Sequence, residues 1–305
     1  MSLRSRLRVV LEPQGRLIFL AFALLLFAAT GPTLSVSSAT SDFIIVFDIT
    51  QSMDVEDYAR DGVPVSRLNY AKQAARQALR NLPCGSQIGW GAFTEYQTLL
   101  LLAPIEVCSN YSELVAELDR IDYHMRWANR SEIAKGVFWA VRAAKEVGHD
   151  PRLIFLTDGQ EAPPLAVGEM ALWDDLKAGE IKGWLIGTGD SFAAPIPHSD
   201  QDGHSLGYWR ADEVVQFASD ATDRRVETGH EHLSGLHENY LQTLARNLGL
   251  DYRRLDTEDS ISEALKDPRF AHHHPTTSDI AWIPAALALF LLCAQFVPLP
   301  SWRLR

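Results

Sequence analysis

Two apolar runs, each followed at once by an aspartate, constrain this chain more than any other feature. Residues 43–47 (Phe-Ile-Ile-Val-Phe) lead into Asp48, and residues 153–156 (Leu-Ile-Phe-Leu) lead into Thr157 and Asp158. Both runs are β-branched and aromatic without alternation, which predicts buried parallel strands. Because open α/β sheets bind ligands beyond the carboxyl ends of their strands, we expect both aspartates in one crevice.

The rest of the middle region alternates between strand and helix patterns, which predicts an α/β fold with a doubly wound, mostly parallel sheet flanked by helices. Residues 190–235 are rich in Pro, Gly, Asp and His, and we expect an irregular insertion with a small hairpin near 205–210. The predicted helices are 66–82, 111–121, 131–147, 170–178, 240–248 and 260–266, and the predicted strands are 43–47, 87–93, 98–103, 152–156, 183–187 and 252–255.

The two ends of the chain differ from the middle. Residues 17–41 and 280–302 carry no charged side chain, and roughly 20 apolar residues suffice for a helix to cross a bilayer. We expect a transmembrane helix at 280–300. Residues 17–38 are interpreted as an uncleaved transmembrane anchor, with a signal peptide as the alternative.

Arginines place both ends of the chain on one side of this membrane. Four precede the first apolar segment, and Arg303 and Arg305 follow the second. By the positive-inside rule, residues 1–16 and 301–305 are cytoplasmic. The domain at 41–268 and its linker at 269–279 then face the periplasm, with the chain held in the inner membrane. The histidine triplet at 272–274 is interpreted as part of a solvated linker.

The middle of the chain is strongly acidic. The whole chain carries −11, the first sixteen residues +3 and residues 280–305 +2, so the part between them carries −16. A nucleic-acid partner requires a basic face, so this balance argues against nucleic acid.

Two of the three cysteines lie in the predicted periplasmic domain. Cys84 and Cys108 flank the predicted hairpin of strands 87–93 and 98–103, so their side chains are expected to be near one another. An oxidising compartment permits a disulfide there, with two free buried thiols as the alternative. Cys293 lies in the C-terminal apolar segment, where it is expected to act as a small apolar side chain.

The first aspartate belongs to a group of closely spaced oxygen donors. In the segment Asp48-x-Thr50-x-Ser52, alternate side chains leave the strand on one side, and Asp158 adds a second carboxylate from another strand. Such an all-oxygen set suits Mg²⁺, and also Ca²⁺ or Mn²⁺, but not zinc. Helix capping and turn formation are the alternative roles of these residue types.

This pair of motifs resembles the metal-ion-dependent adhesion site of von Willebrand factor A domains, over about residues 42–265. The resemblance implies a third loop in which Ser131 stands where the family usually has threonine. It implies that Asp48, Thr50, Ser52, Ser131 and Asp158 together hold the divalent cation. A protein partner then completes the metal's coordination with an aspartate or glutamate.

A closer resemblance is to bacterial membrane-anchored A-domain proteins of the aerotolerance-operon type. It rests on residues 53–57, on Ser66-Arg67-Leu68, on residues 194–197 and on residues 240–253. The resemblance implies that this protein acts together with a MoxR-type ATPase and other A-domain proteins. The chain is further similar to A-domain proteins encoded with methanol dehydrogenase, which implies a part in maturing that periplasmic enzyme, including calcium insertion.

Three acids follow the first motif closely. Asp54, Glu56 and Asp57 are expected either to contact a partner or to form a solvated acidic loop. We expect no enzyme, because no phosphate-binding or dinucleotide-binding motif accompanies the site and no general base is evident. A metal-dependent hydrolase, a transition-metal site among the histidines of 198–237 and a calcium chaperone are the alternatives.

Overall fold

The structure is a computed structural model, and it describes residues 13–148, 151–163, 178–200, 204–214 and 230–296. They form two compact units, the first from the two ends of the chain and the second from residues 39–273. The second unit contains both aspartate motifs.

A six-stranded sheet lies at the centre of the second unit, counted over the described residues. Five strands run parallel, and the last pairs antiparallel at one edge, which confirms the predicted α/β fold. In sheet order the strands are β13 (Asp251–Arg254), β8 (Gly183–Gly187), β7 (Arg152–Thr157), β2 (Asp42–Asp48), β5 (Gln87–Thr94) and β6 (Gln97–Glu106).

Helices cover both faces of this sheet. Strand β2 sends Phe43, Ile45 and Phe47 to one face and Ile44 and Val46 to the other, and all five are buried. The first face is covered by helices α2 (Arg67–Asn81), α3 (Tyr111–Arg120) and α6 (Asp259–Leu265), and the second by α4 (Ile133–Val147) and α5 (Glu238–Leu248). A strand buried on both faces cannot alternate in polarity, which explains its continuous apolar sequence.

Short hairpins and single turns decorate the sheet's carboxyl edge. Strands β3 (Tyr58–Arg60) and β4 (Val63–Val65) form a hairpin that the sequence reading missed. Its turn, Asp61-Gly62, has positive φ at both positions, as a type I′ turn requires. The remaining small elements are β9 (Ala194–Pro195), β10 (Pro197–Ser199), β11 (Ser205–Tyr208), β12 (Leu233–Ser234) and 3₁₀ turns at Gln51–Asp54, Tyr123–Met125 and Pro268–Phe270.

The described part of the insertion at 190–235 contains two of these strand pairs. Strand β11 pairs antiparallel with β10, and β12 pairs with β9. The hairpin expected near 205–210 therefore exists, with 197–199 as its other strand. The predicted helix at 170–178 lies outside the described residues, apart from its last position.

The first unit differs from the predicted end segments. Helix α1 (Pro13–Ala29) stops well before residue 38, and β1 (Thr33–Thr40) follows it. Strand β1 pairs with β14 (His272–Asp279), so the stretch predicted as a linker at 269–279 is mostly strand, and α7 (Trp282–Phe296) comes after it. Pro32 lacks a backbone N–H, and the β-branched residues beyond it favour strand.

The lengths of the two terminal helices within the described residues bear on the predicted membrane segments. Helix α1 has 17 residues and α7 has 15. Across the described part of the chain, no helix combines the length and the apolar character needed to cross a bilayer.

Candidate metal site

The first aspartate is wholly buried at the carboxyl end of β2. Its Oδ1 accepts hydrogen bonds from the Thr50 backbone N–H at 2.8 Å and from Thr50 Oγ1 at 2.6 Å. Its Oδ2 accepts one from Thr157 Oγ1 at 2.7 Å, on the neighbouring strand. Thr50 Oγ1 lies 3.2 Å from Ser52 Oγ, so the first motif converges as the alternate spacing predicted.

The second aspartate is also wholly buried, but its carboxylate is already engaged. Asp158 Oδ1 accepts from the Gln160 backbone N–H at 3.0 Å. Its Oδ2 accepts from Ser234 Oγ at 2.7 Å and from Arg67 Nη1 at 2.8 Å. Because the buried guanidinium of Arg67 pairs with Asp158, this carboxylate contributes little net negative charge to the site in this structure.

Ser131 reaches the same place from a third loop. Its backbone N–H donates to the Ala162 carbonyl at 2.9 Å, and the Ala162 N–H donates back to the Ser131 carbonyl at 2.7 Å. This pairing fixes the loop beside the residues that follow Asp158. The Ser131 side chain is 4% exposed, and its Oγ has no hydrogen-bond partner among the described residues.

Arg67 is the functional residue that the sequence reading did not place. It opens helix α2, is wholly buried, and donates from Nε and Nη2 to Asp57 Oδ2 at 2.9 and 2.6 Å. Its Nη1 also donates to Ser234 Oγ at 2.6 Å. At Gly189, where φ is +115°, a Cβ would lie 2.5 Å from Arg67 Nε, so only glycine leaves room for this side chain.

The charges of Arg67, Asp158 and Asp48 depend on one another. Burial opposes a charged Arg67, but the carboxylates of Asp158 and Asp57 outweigh it and raise the pKa of Arg67 above its ordinary value. Burial, together with repulsion from Asp158, raises the pKa of Asp48 to about 7. A cation close to Asp48 would act in the opposite direction and favour the carboxylate.

A cavity of about 270 Å³ opens onto the hydroxyl groups of the three loops. Thr50, Ser52 and Ser131 line it, and Asp48 lies directly behind Thr50. The donor set is oxygen throughout and includes a buried hydroxyl without a partner, so these residues fit a hard divalent cation. Asp158 Oδ2 is already engaged by Arg67 and Ser234.

The three acids after the first motif have different surroundings. Asp57 is ion-paired with buried Arg67 and accepts the Asp190 backbone N–H at 2.9 Å, so a partner would have to compete with both donors for Asp57. Asp54 pairs with Arg126 at 2.8 Å and is half-buried. Glu56 is exposed. A partner could therefore reach Glu56 directly, but would have to compete with Arg126 for Asp54.

A disulfide joins Cys84 and Cys108 at the open end of the hairpin formed by β5 and β6. Glu106 lies close to both sulfurs, and these three residues are the one cluster of metal-ligating types within the described chain. Because both sulfurs are bonded to each other, they offer no thiolate to a metal. The histidines expected as an alternative transition-metal site form no such cluster in the described part of 198–237.

Comparison with known proteins agrees with this architecture. Residues 43–160 match the family model of the von Willebrand factor type A domain. They run from β2 to the residues just beyond Asp158, so they include all three loops of the site. The fold and this match thus show that residues 43–160 are similar to a von Willebrand factor type A domain.

Individual relatives are more distant. The UPF0353 protein of Mycolicibacterium paratuberculosis is 26% identical over 247 residues, which is 77% of this chain and 69% of that protein. An aerotolerance-related membrane protein from Bacteroides fragilis is 18% identical, with a TM-score of 0.49. The match covers 74% of this chain and 96% of that chain. A membrane-spanning protein from Vibrio fischeri is 20% identical, with a TM-score of 0.31, and covers 73% and 95%.

Proposed function

We propose that this chain is a protein-docking module that holds a divalent cation at the carboxyl edge of its sheet and uses it to capture a carboxylate of a partner protein. One observation carries the proposal. Ser131 Oγ is buried and has no partner within the described part of the chain, and its residue lines a cavity that Thr50 and Ser52 also line. Buried hydroxyls are rarely left unpaired, so a missing ligand is the simplest physical explanation.

The residues of the site would contribute to cation binding in different ways. Thr50, Ser52 and Ser131 would offer neutral oxygens, and Asp48 would supply negative charge from behind them. Asp158 and Arg67 form an ion pair and together contribute little net charge. Mg²⁺ is the first choice for such a site, with Ca²⁺ or Mn²⁺ as alternatives. The cation would keep much of its positive charge and would attract an aspartate or glutamate from outside.

Binding fits this site better than catalysis. A hydrolase requires a base positioned to activate water or a nucleophile. In the described insertion, His198 stacks on Trp209 and His204 pairs with Asp200, so each of these histidines is already engaged. The competing hydrolase hypothesis predicts metal-dependent turnover that disappears in Asp158→Asn.

The biological setting that we propose is the assembly or maturation of a periplasmic complex at the inner membrane. Its support is the sequence resemblance to membrane-anchored A-domain proteins. Two clients remain open under that resemblance, namely methanol dehydrogenase and an aerotolerance system with a MoxR-type ATPase. The genes next to this one distinguish them, because each client is encoded with its own cluster.

Calorimetric titration of Mg²⁺, Ca²⁺ and Mn²⁺ into the full chain tests the metal site. Asp48→Asn keeps the shape of the buried group and removes its charge, so we expect metal affinity to fall at least tenfold. Asp119→Asn, on an exposed helix position, is the matched control and should bind the metal normally. Equal affinities for the native protein and Asp48→Asn would overturn the proposal.

A further inference from the structure

Beside the hydroxyls, the wall of the cavity contains a second buried polar group without a partner. Gln160 is 5% exposed, and its Nε2 donates to the backbone carbonyls of Glu231 at 3.3 Å and Leu233 at 3.2 Å. Its Oε1 is buried and has no partner among the described residues. Turning the amide over would place Oε1 against two carbonyl oxygens, so the two acceptors fix its orientation.

Trp209 adds an unpaired donor to the same cavity. Its Nε1 is buried and without a partner in the described part of the chain. The indole is stacked on His198 with ring centroids 3.7 Å apart, and the Trp209 backbone N–H donates to the Ile196 carbonyl at 3.0 Å. These contacts hold the ring in place, so the donor cannot easily turn toward water.

The two groups have complementary hydrogen-bonding requirements. Gln160 Oε1 needs a donor, and Trp209 Nε1 needs an acceptor. A peptide unit offers one N–H and one C=O. The cavity, at about 270 Å³, is slightly smaller than typical pockets for whole small molecules, and Ile196, Ala162 and Pro163 add apolar wall. These features favour a short stretch of polypeptide.

We propose that this cavity reads the peptide backbone next to the captured acidic side chain, with Gln160 Oε1 accepting a backbone N–H and Trp209 Nε1 donating to a backbone carbonyl. This inference rests on the proposed function, because the metal holds the acid that brings the backbone into reach. The partner is then an extended protein segment that contains an aspartate or glutamate, and a free carboxylate is a poor substitute for it.

Ligand-observed NMR titrations with the full chain and Mg²⁺ test this inference. The probes are acetyl-Gly-Asp-Gly-amide, the same peptide singly N-methylated at each residue in turn, and acetate. We expect the unmodified peptide to bind at least tenfold more tightly than acetate. One of the N-methylated peptides should lose that advantage, because methylation removes the N–H that Gln160 accepts.

Two conservative variants connect the binding to the named residues. Gln160→Met keeps the length of the side chain without its acceptor, and Trp209→Phe keeps a stacking ring without its N–H. Each should lower peptide affinity about tenfold while acetate binds as before. In Gln160→Met, the N-methylated and unmodified peptides should bind equally. The matched controls are Gln77→Met, at a half-buried helix position, and Trp139→Phe, at an exposed one; neither residue lines the cavity.

The outcomes separate this inference from the proposal beneath it. If Mg²⁺ and acetate bind but the peptide binds no better than acetate, the backbone-reading inference alone is overturned. The same holds if all N-methylated peptides bind the native protein like the unmodified one, a result that needs no variant to fold. If none of Mg²⁺, Ca²⁺ and Mn²⁺ binds, both proposals fail.

Discussion

At the scale of single residues, Arg67 sets the different roles of Asp48 and Asp158 in the site. It is wholly buried and pairs with Asp158 at 2.8 Å and with Asp57 at 2.6 Å. Without it, the carboxylates of Asp57 and Asp158 would lose their shared counter-charge. The arginine leaves Asp48 as the carboxylate behind the hydroxyls, and it ties helix α2 to the insertion through Ser234.

Replacing this arginine should therefore be severe. Arg67→Met leaves Asp57 and Asp158 buried without their counter-charge, and we expect the free energy of unfolding to fall by about 3–5 kcal/mol. Arg76→Met, which breaks a partly exposed ion pair with Asp119, is the control and should cost no more than about 1 kcal/mol. Urea denaturation measures both. Similar midpoints for the two variants would contradict the role given to Arg67.

Ser131 should show the opposite pattern, with binding affected and stability unaffected. Its Oγ has no partner among the described residues, so Ser131→Ala removes no hydrogen bond, and we expect stability within about 0.5 kcal/mol of native. Mg²⁺ affinity should fall about tenfold in calorimetry, because a ligand is lost.

Ser41→Ala is the matched comparison for a buried serine. Ser41 Oγ donates to the Leu265 carbonyl at 2.8 Å, so its loss should cost about 1 kcal/mol of stability and leave Mg²⁺ affinity unchanged. A destabilised Ser131→Ala with native metal affinity would mean that the hydroxyl is structural.

At the scale of elements, the sequence predicts most of the sheet and two of the three loops of the site. Continuous apolar runs identify the buried strands, because a strand covered on both faces has no polar side. The first motif then places three oxygens by alternation alone. The pairing of Arg67 with Asp158 is not predictable in this way, since it depends on Ser234, 167 residues away along the chain, and on space left by Gly189.

The end segments show a second limit of sequence reading. Apolar composition at 17–38 predicts a bilayer helix, yet the same stretch divides into helix and strand at Pro32. The composition of the whole stretch does not reveal this break. The helix stops where it does because Pro32 lacks a backbone N–H. Strand β14 escaped prediction because its histidines and Pro275 resemble a linker, and only its pairing with β1 makes it a strand.

Helix α4 packs on the sheet so closely that one glycine is obligatory. A Cβ on Gly136 would lie 2.2 Å from the ring of Phe93. In an open helix, Gly→Ala is stabilising by about 1 kcal/mol. Here we expect Gly136→Ala to destabilise the domain by about 1–3 kcal/mol through overpacking, measured by urea denaturation.

A second substitution tests whether the clash is the cause. Phe93→Leu removes the ring, so the double variant Gly136→Ala/Phe93→Leu should be more stable than the sum of the two single effects predicts. Simple additivity would show that Gly136 is needed for another reason.

At the scale of the whole molecule, metal binding and folding should be linked. The proposed ligands come from the end of β2, from the turn that follows it and from the loop before α4, so the site exists only when the domain is folded. A cation that binds the folded form alone should stabilise it by about 2.7 kcal/mol at a hundredfold excess over its Kd. Thermal unfolding with and without Mg²⁺ measures this effect, and EDTA should reverse it. At the same Mg²⁺ concentration, Asp48→Asn should gain no more than about 1.4 kcal/mol, because a tenfold weaker affinity leaves only a tenfold excess over its Kd. Arg76→Met should respond like the native chain. A stabilisation of equal size in Asp48→Asn would assign the ion to another site and remove the basis for metal-dependent docking.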